Sequence, residues 1–160
     1  MRSSRESAIA RPSGSSIVPR FGLDTSCLIP LVAEWHQRHE QTTRDYRARL
    51  ARGERPVIAG HALVECYSVL TRLPFPVRTD PETAEEILTR YFAGAEVAGV
   101  GPETCWLAMR TVAALNIGGG RVYDAVIVSA VAEAGARVFL TWNVRHYLAF
   151  APQGLEIRQP

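Results

Sequence analysis

Residues 118–147 read GGGRVYDAVIVSAVAEAGARVFLTWNVRHY, and this stretch decides the fold. Between Val122 and Ala132 every residue is apolar, aromatic or small, apart from Asp124 and the neutral Ser129. A run apolar on most of its sides and closed by Gly135 predicts a buried helix over residues 121–135. ARVFLT, residues 136–141, follows at once as a strand. A buried helix delivering a strand is a unit of a parallel sheet covered on both faces. One residue resists this reading. A buried carboxylate is costly unless it is paired, hydrogen-bonded or bound to a metal. Asp124 is therefore the first candidate functional residue.

The same alternation extends in both directions. Residues 17–23, IVPRFGL, read as a first strand, and TSCLIPLV as a short helix after it. Residues 33–53 read as one long polar helix ending at Gly53. RPVIAG is a second strand, and HALVECYSVLTRL is a helix stopped by Pro74 and Pro76. DPETAEEILTRYFAG and GPETCWLAMRTVAALNIGGG each open on Pro followed by an acid, which marks a helix start. AEVAGV lies between them as a third strand, and LEIRQ near the end reads as a fifth. The expected class is α/β, with a parallel sheet of four to five strands. Residues 77–117 are mostly helical and suggest a subsidiary cap.

The 160 residues suit one domain able to bury a real core. The first twenty have no apolar signal core, and no apolar run reaches the roughly 18–20 residues that cross a bilayer. The Arg- and Ser-rich residues 1–16 read as a disordered extension. Cys27, Cys66 and Cys105 are an odd number without CxxC spacing. They argue for small buried hydrophobes in a reducing, cytoplasmic setting, and against a disulfide frame or zinc knuckle. A net charge of +2 excludes a histone-like binder. All 18 basic residues are Arg, a bias compatible with phosphate contacts and equally with a GC-rich genome.

Three acids stand apart from those on polar helix faces. Asp24, in FGLDTS, ends the first strand, where it would also serve as a helix cap. Glu65 lies about a turn into the helix after the second strand, near His61, Ser68 and Arg72. Asp124 lies in the first turn of the helix entering the fourth strand. Asn143, in LTWNVRHY, sits just past that strand's end. Sites in open parallel sheets form outside the carboxyl ends of the strands. If strands one, two and four are neighbours, these four side chains converge. Clustered carboxylates need cations, and hard oxygen ligands suit Mg²⁺ or Mn²⁺.

On LDTSCLI, ALVECYSVLTRL, YDAVIVSAVAEAGARVFLTWNVRHY and LEIRQP, the chain resembles a PIN domain, in particular the VapC toxins of bacterial toxin–antitoxin pairs. The resemblance covers roughly residues 18–160. It implies a three-layer α/β/α sandwich and Mg²⁺- or Mn²⁺-dependent endoribonuclease activity. It also implies an RNA substrate, a small antitoxin partner, homodimerisation and no membrane association. Asp24, Glu65 and Asp124 match the family's metal-binding acids, and Thr25 the small hydroxyl after the first of them. Asn143 stands where many members have a fourth Asp, so the catalytic set is Asp24, Glu65, Asp124 and Asn143, with one tight ion expected. Arg121 and Arg145 are candidates to grip RNA phosphates. His61 is a candidate neighbour of the ligands, whereas His146 reads as structural. The extension is foreign to the family pattern, and a start near Val18 suits it better.

Three rivals remain. A haloacid-dehalogenase-like phosphatase needs a second acid two residues after the first, where this chain has Ser26, and a Lys, of which there is none. A degenerate module binding RNA or protein without cleavage is favoured only by the uncharged Asn143. A structural protein requires a separate local explanation for each of the three acids.

Overall fold

The computed structural model describes residues 18–160. The expectations for residues 1–16, and for a strand starting at Ile17, lie outside the described residues. The five strands are β1 (Arg20–Leu23), β2 (Arg55–Ala59), β3 (Glu96–Ala98), β4 (Val138–Leu140) and β5 (Glu156–Arg158). They form one sheet in the order β3-β2-β1-β4-β5, with every pairing parallel. Among the described residues, the helices are α1 (Thr25–Val32), α2 (His39–Ala51), α3 (Gly60–Arg72), α4 (Pro81–Tyr91), α5 (Pro102–Ala114), α6 (Arg121–Glu133) and the short α7 (Val144–Tyr147).

Burial along the central strands explains the layering. Phe21, Gly22 and Leu23 are all buried, although successive side chains point to opposite faces of a sheet. Phe21 packs edge-on against Tyr46 of α2, with ring centroids 5.9 Å apart. A Cβ on Gly22 would instead stand 2.9 Å from Val131 of α6 and 2.9 Å from Phe139 of β4. Thus α2 covers one face and α6 the other, giving three layers. Only a residue without a side chain lets β1 approach α6 this closely.

The register aligns the carboxyl ends. Leu23 pairs with Ile58 of β2 and Leu140 of β4. Asp24, the start of α3 and Thr141 therefore leave the sheet at one edge. The neighbouring of strands one, two and four, on which convergence depended, is present.

Three details differ from the sequence expectation. The helix expected over 33–53 is preceded by a turn. Ala33 is extended (φ −112°, ψ 93°), and the chain is held there by His36 N–H to Ala33 O and His39 N–H to His36 O. The helix after Gly101 ends at Ala114, because Asn116 adopts a left-handed φ of 53°. Residues 77–117 are not a separate cap: β3 pairs with β2, while Ala84, Leu88, Phe92, Ala108 and Val112 join the main core.

Candidate functional site

Asp24 occupies the N-cap position of α1, yet its side chain makes no capping bond. The carboxylate turns the other way, into the protein, and is only 4% exposed. Its Oδ1 accepts a 2.6 Å hydrogen bond from the Tyr147 hydroxyl. Its Oδ2 accepts from Ser26 Oγ at 2.6 Å and from Thr141 Oγ1 at 2.8 Å. The two smaller hydroxyls are themselves oriented. Ser26 Oγ accepts from the Trp142 N–H, and Thr141 Oγ1 from the Asn143 N–H, which leaves each hydroxyl proton for Asp24. The loop after β4 is thus wired to the acid after β1. These three donors meet the hydrogen-bonding requirement of a buried carboxylate.

Glu65, on α3, reaches back to the residue beside Asp24. Thr25 Oγ1 donates to Glu65 Oε2 at 2.6 Å and thereby fixes the carboxylate's direction. Asp124, in the first turn of α6, has a side chain 24% exposed. Arg121 Nε lies 3.1 Å from its Oδ2, at an angle that forms an ion pair and not a hydrogen bond. His146 Nδ1 lies 3.6 Å from the same oxygen. Burial and the charges of Asp24 and Glu65 push the Asp124 carboxyl above its ordinary value, against the opposing pull of His146 and Arg121. Burial, followed by the charges of Asp24 and Asp124, also pushes the Tyr147 phenol far up, with Glu65 adding to the effect. The phenol consequently stays a donor at any physiological pH. Asp124 thus lies within electrostatic reach of both Asp24 and Glu65.

The remaining candidates surround this cluster. Asn143 is exposed at the start of α7 and makes no side-chain cap. With Trp142, Val144, Arg145, His146 and Gln159 it lines an open cavity of about 480 Å³. Arg145 is exposed there. Arg121 is turned towards the cluster: besides its ion pair with Asp124, it donates a hydrogen bond to the His146 carbonyl and lies over the Phe150 ring at 5.5 Å. His61 stacks on Tyr123, with centroids 5.1 Å apart and ring planes 13° apart. Among the described residues, no three His, Cys, Asp or Glu side chains form a ready-made metal cage. Hydroxyls hold Asp24 and Glu65, and Arg121 holds Asp124. The donor set itself, three carboxylates of which Asp24 and Glu65 raise the charge cost of Asp124, fits a hard divalent cation.

A model of the PIN domain matches residues 22–148, which contain every one of these acids. The chain belongs to the PIN-domain family. Among PIN relatives, the chain is 38% identical over 120 residues to Ribonuclease VapC27 of Mycobacterium tuberculosis, covering 75% of this chain and 82% of that protein. It is 36% identical over 124 residues to Ribonuclease VapC40 of the same species, covering 76% and 85%. The PIN fold is shared with VapBC2 from Rickettsia felis bound to a promoter DNA fragment (TM-score 0.66, 12% identity, covering 88% of this chain and 98% of that one). It is also shared with M. tuberculosis VapC20, a Sarcin-Ricin loop cleaving toxin (TM-score 0.66, 16% identity, covering 83% and 97%).

Sequence reasoning on this PIN domain missed Tyr147, Thr141 and the part played by Ser26. It also set His146 aside as structural, whereas its ring lies against Asp124. Hydroxyl residues carry no periodic signal, and Tyr147 lies 123 residues from its partner. The one available signal was the polar TWN turn directly after an apolar strand.

Proposed function

We propose that this PIN domain is a divalent-metal-dependent endoribonuclease, a hydrolase of RNA phosphodiester bonds, and the toxin of a toxin–antitoxin pair. The observation that carries the proposal is the approach of Asp24, Glu65 and Asp124, from three different elements, at one sheet edge, where the charges of the first two raise the cost of ionising the third. The names of the VapC ribonuclease relatives support the reaction class. Likeness in fold to VapBC-5 of M. tuberculosis, a member of the VapBC family of toxin-antitoxin systems, supports a partner antitoxin. A second copy of the chain is proposed as a further partner. No described helix is long and apolar enough to cross a membrane.

In this reading Asp24, Glu65 and Asp124 hold one Mg²⁺, with Mn²⁺ as a substitute. When bound, such an ion polarises a phosphoryl oxygen and lowers the pKa of a coordinated water. The chain's own residues prepare the site. Tyr147, Ser26 and Thr141 fix Asp24, Thr25 aims Glu65, and Arg121 compensates Asp124. Asn143 offers an uncharged amide at the opening, suited to hydrogen-bonding water. Arg145 is placed at the rim to meet a backbone phosphate, and Arg121 would do so if RNA drew it from Asp124.

Incubating total RNA with the purified protein tests the proposal. Discrete fragments with Mg²⁺ or Mn²⁺, and none with EDTA, are expected. Intact RNA in every lane, together with no binding of Mn²⁺, would favour the non-cleaving PIN module instead.

A further inference from the structure

Beside the acids lies an aromatic pair that the proposed chemistry leaves unused. Tyr123 immediately precedes Asp124 on α6, and His61 lies one helical turn before Glu65 on α3. Their rings stack at 5.1 Å and 13°, and among the described residues no other ring pair comes this close to parallel. Tyr123 is nevertheless 54% exposed. The imidazole takes one face of the phenol ring, so that exposure belongs to its other side.

The residue that precedes α6 adds no side chain here. A Cβ on Gly120 would lie 3.9 Å from the Tyr123 ring, and in its absence nothing from that position crowds the ring. Trp35, Phe75 and Trp106 are also exposed, but none of them stacks on a second ring near parallel. Tyr123 is braced from behind and left clear in front.

We propose that the Tyr123–His61 pair is a nucleobase-stacking platform, holding an unstacked base of single-stranded RNA next to the phosphate presented to Asp24, Glu65 and Asp124. Single-stranded RNA is recognised largely by stacking of splayed bases on aromatic rings. Tyr123 adjoins Asp124 in the chain and His61 lies one helical turn before Glu65, so a base stacked on the pair would lie close to the acids. His61 keeps the phenol plane fixed, so that little side-chain freedom is lost on binding. The inference rests on the nuclease reading and adds to it where the substrate's bases lie.

The test measures binding separately from cleavage. A labelled single-stranded RNA of mixed sequence and an abasic RNA of equal length are titrated with protein in EDTA. Tyr123→Ala should weaken binding of the base-bearing RNA by about 5- to 150-fold, while Tyr123→Phe stays within about two-fold of the parent protein. Both variants should bind the abasic RNA as the parent does. Equal affinity of Tyr123→Ala and the parent for base-bearing RNA, with the parent still cleaving total RNA, overturns the platform alone and leaves the ring to a protein partner. An equal loss on both probes makes the pair a structural clamp between α3 and α6 and likewise overturns it. A parent protein that neither binds nor cleaves RNA overturns the platform and the nuclease reading together.

Discussion

Replacing Tyr147 by Phe removes one hydroxyl and nothing else of consequence. The ring keeps its edge contacts with Phe139 at 4.9 Å and Phe150 at 6.0 Å, so the apolar packing is conserved. What is lost is the 2.6 Å hydrogen bond to Asp24 Oδ1, for which the described residues offer no other donor. Asp24 is 4% exposed and Tyr147 1%, so water has little room to replace the missing proton. A hydrogen bond to a charged group contributes about 1.5–3 kcal/mol, and an orphaned buried acceptor is costly in the same range. At about 2–4 °C per kcal/mol for a chain of this size, the melting temperature should fall by about 3–12 °C. Thermal and urea unfolding of the metal-free protein at neutral pH measure this directly. A double-mutant cycle with Asp24→Asn should return a coupling above about 0.5 kcal/mol, since the two groups touch. A Tyr147→Phe variant within about 0.5 kcal/mol of the parent, as for an ordinary surface change, would refute the claim that the phenol holds Asp24 in place.

Asp124→Asn should stabilise the metal-free protein at neutral pH while abolishing RNA cleavage. The folded carboxyl titrates above its ordinary value, so the folded state binds more protons than the unfolded state between the two values. Stability therefore falls as pH rises through that window, and the gain from Asn should fade as pH drops towards about 4; a gain independent of pH would refute the assigned cause. Gly22→Ala should cost about 1–3 kcal/mol, because the added methyl meets Val131 and Phe139 at 2.9 Å. Urea unfolding reads the loss, and a neutral result would mean that β1 and α6 are less tightly apposed. Arg49 is buried between Asp45 and Glu54, each at 2.8 Å, so Arg49→Ala should destabilise by about 1.5–3 kcal/mol by leaving Asp45 unpaired and Glu54 with Arg52 alone. The same unfolding assay checks it, and a loss below about 1 kcal/mol would class the pair with exposed bridges.

Much of the fold was legible because each element carries its own signal. The apolar run from Val122 to Ala132, the Asp80–Pro81 start of α4 and the strands FGL and PVIA announce themselves locally. The placement of the three acids was legible because the topology of a parallel sheet sends its strand ends to one edge. The turn at 33–38 was not legible, since no Gly or Pro marks it. Side-chain contacts add to its backbone bonds: His39 Nδ1 lies 2.7 Å from the Pro30 carbonyl, and Arg38 lies 4.5 Å over the Trp142 ring. The four-residue α7 is too short to show a period. The hydroxyls around Asp24 were hidden for a related reason. Ser26, Thr141 and Tyr147 become a set only when β1 and β4 are paired. Asp24 itself was ambiguous between helix cap and ligand, and the direction of its side chain excludes the cap.

The measurement closest to the central claim is calorimetric titration of Mn²⁺ into the parent protein and into Asp24→Asn, Glu65→Gln and Asp124→Asn. If the three acids share one cation, the parent binds a single tight ion and each substitution weakens it by at least about ten-fold. Unchanged Mn²⁺ affinity in Asp24→Asn and Asp124→Asn, with both variants folded, would contradict the shared site.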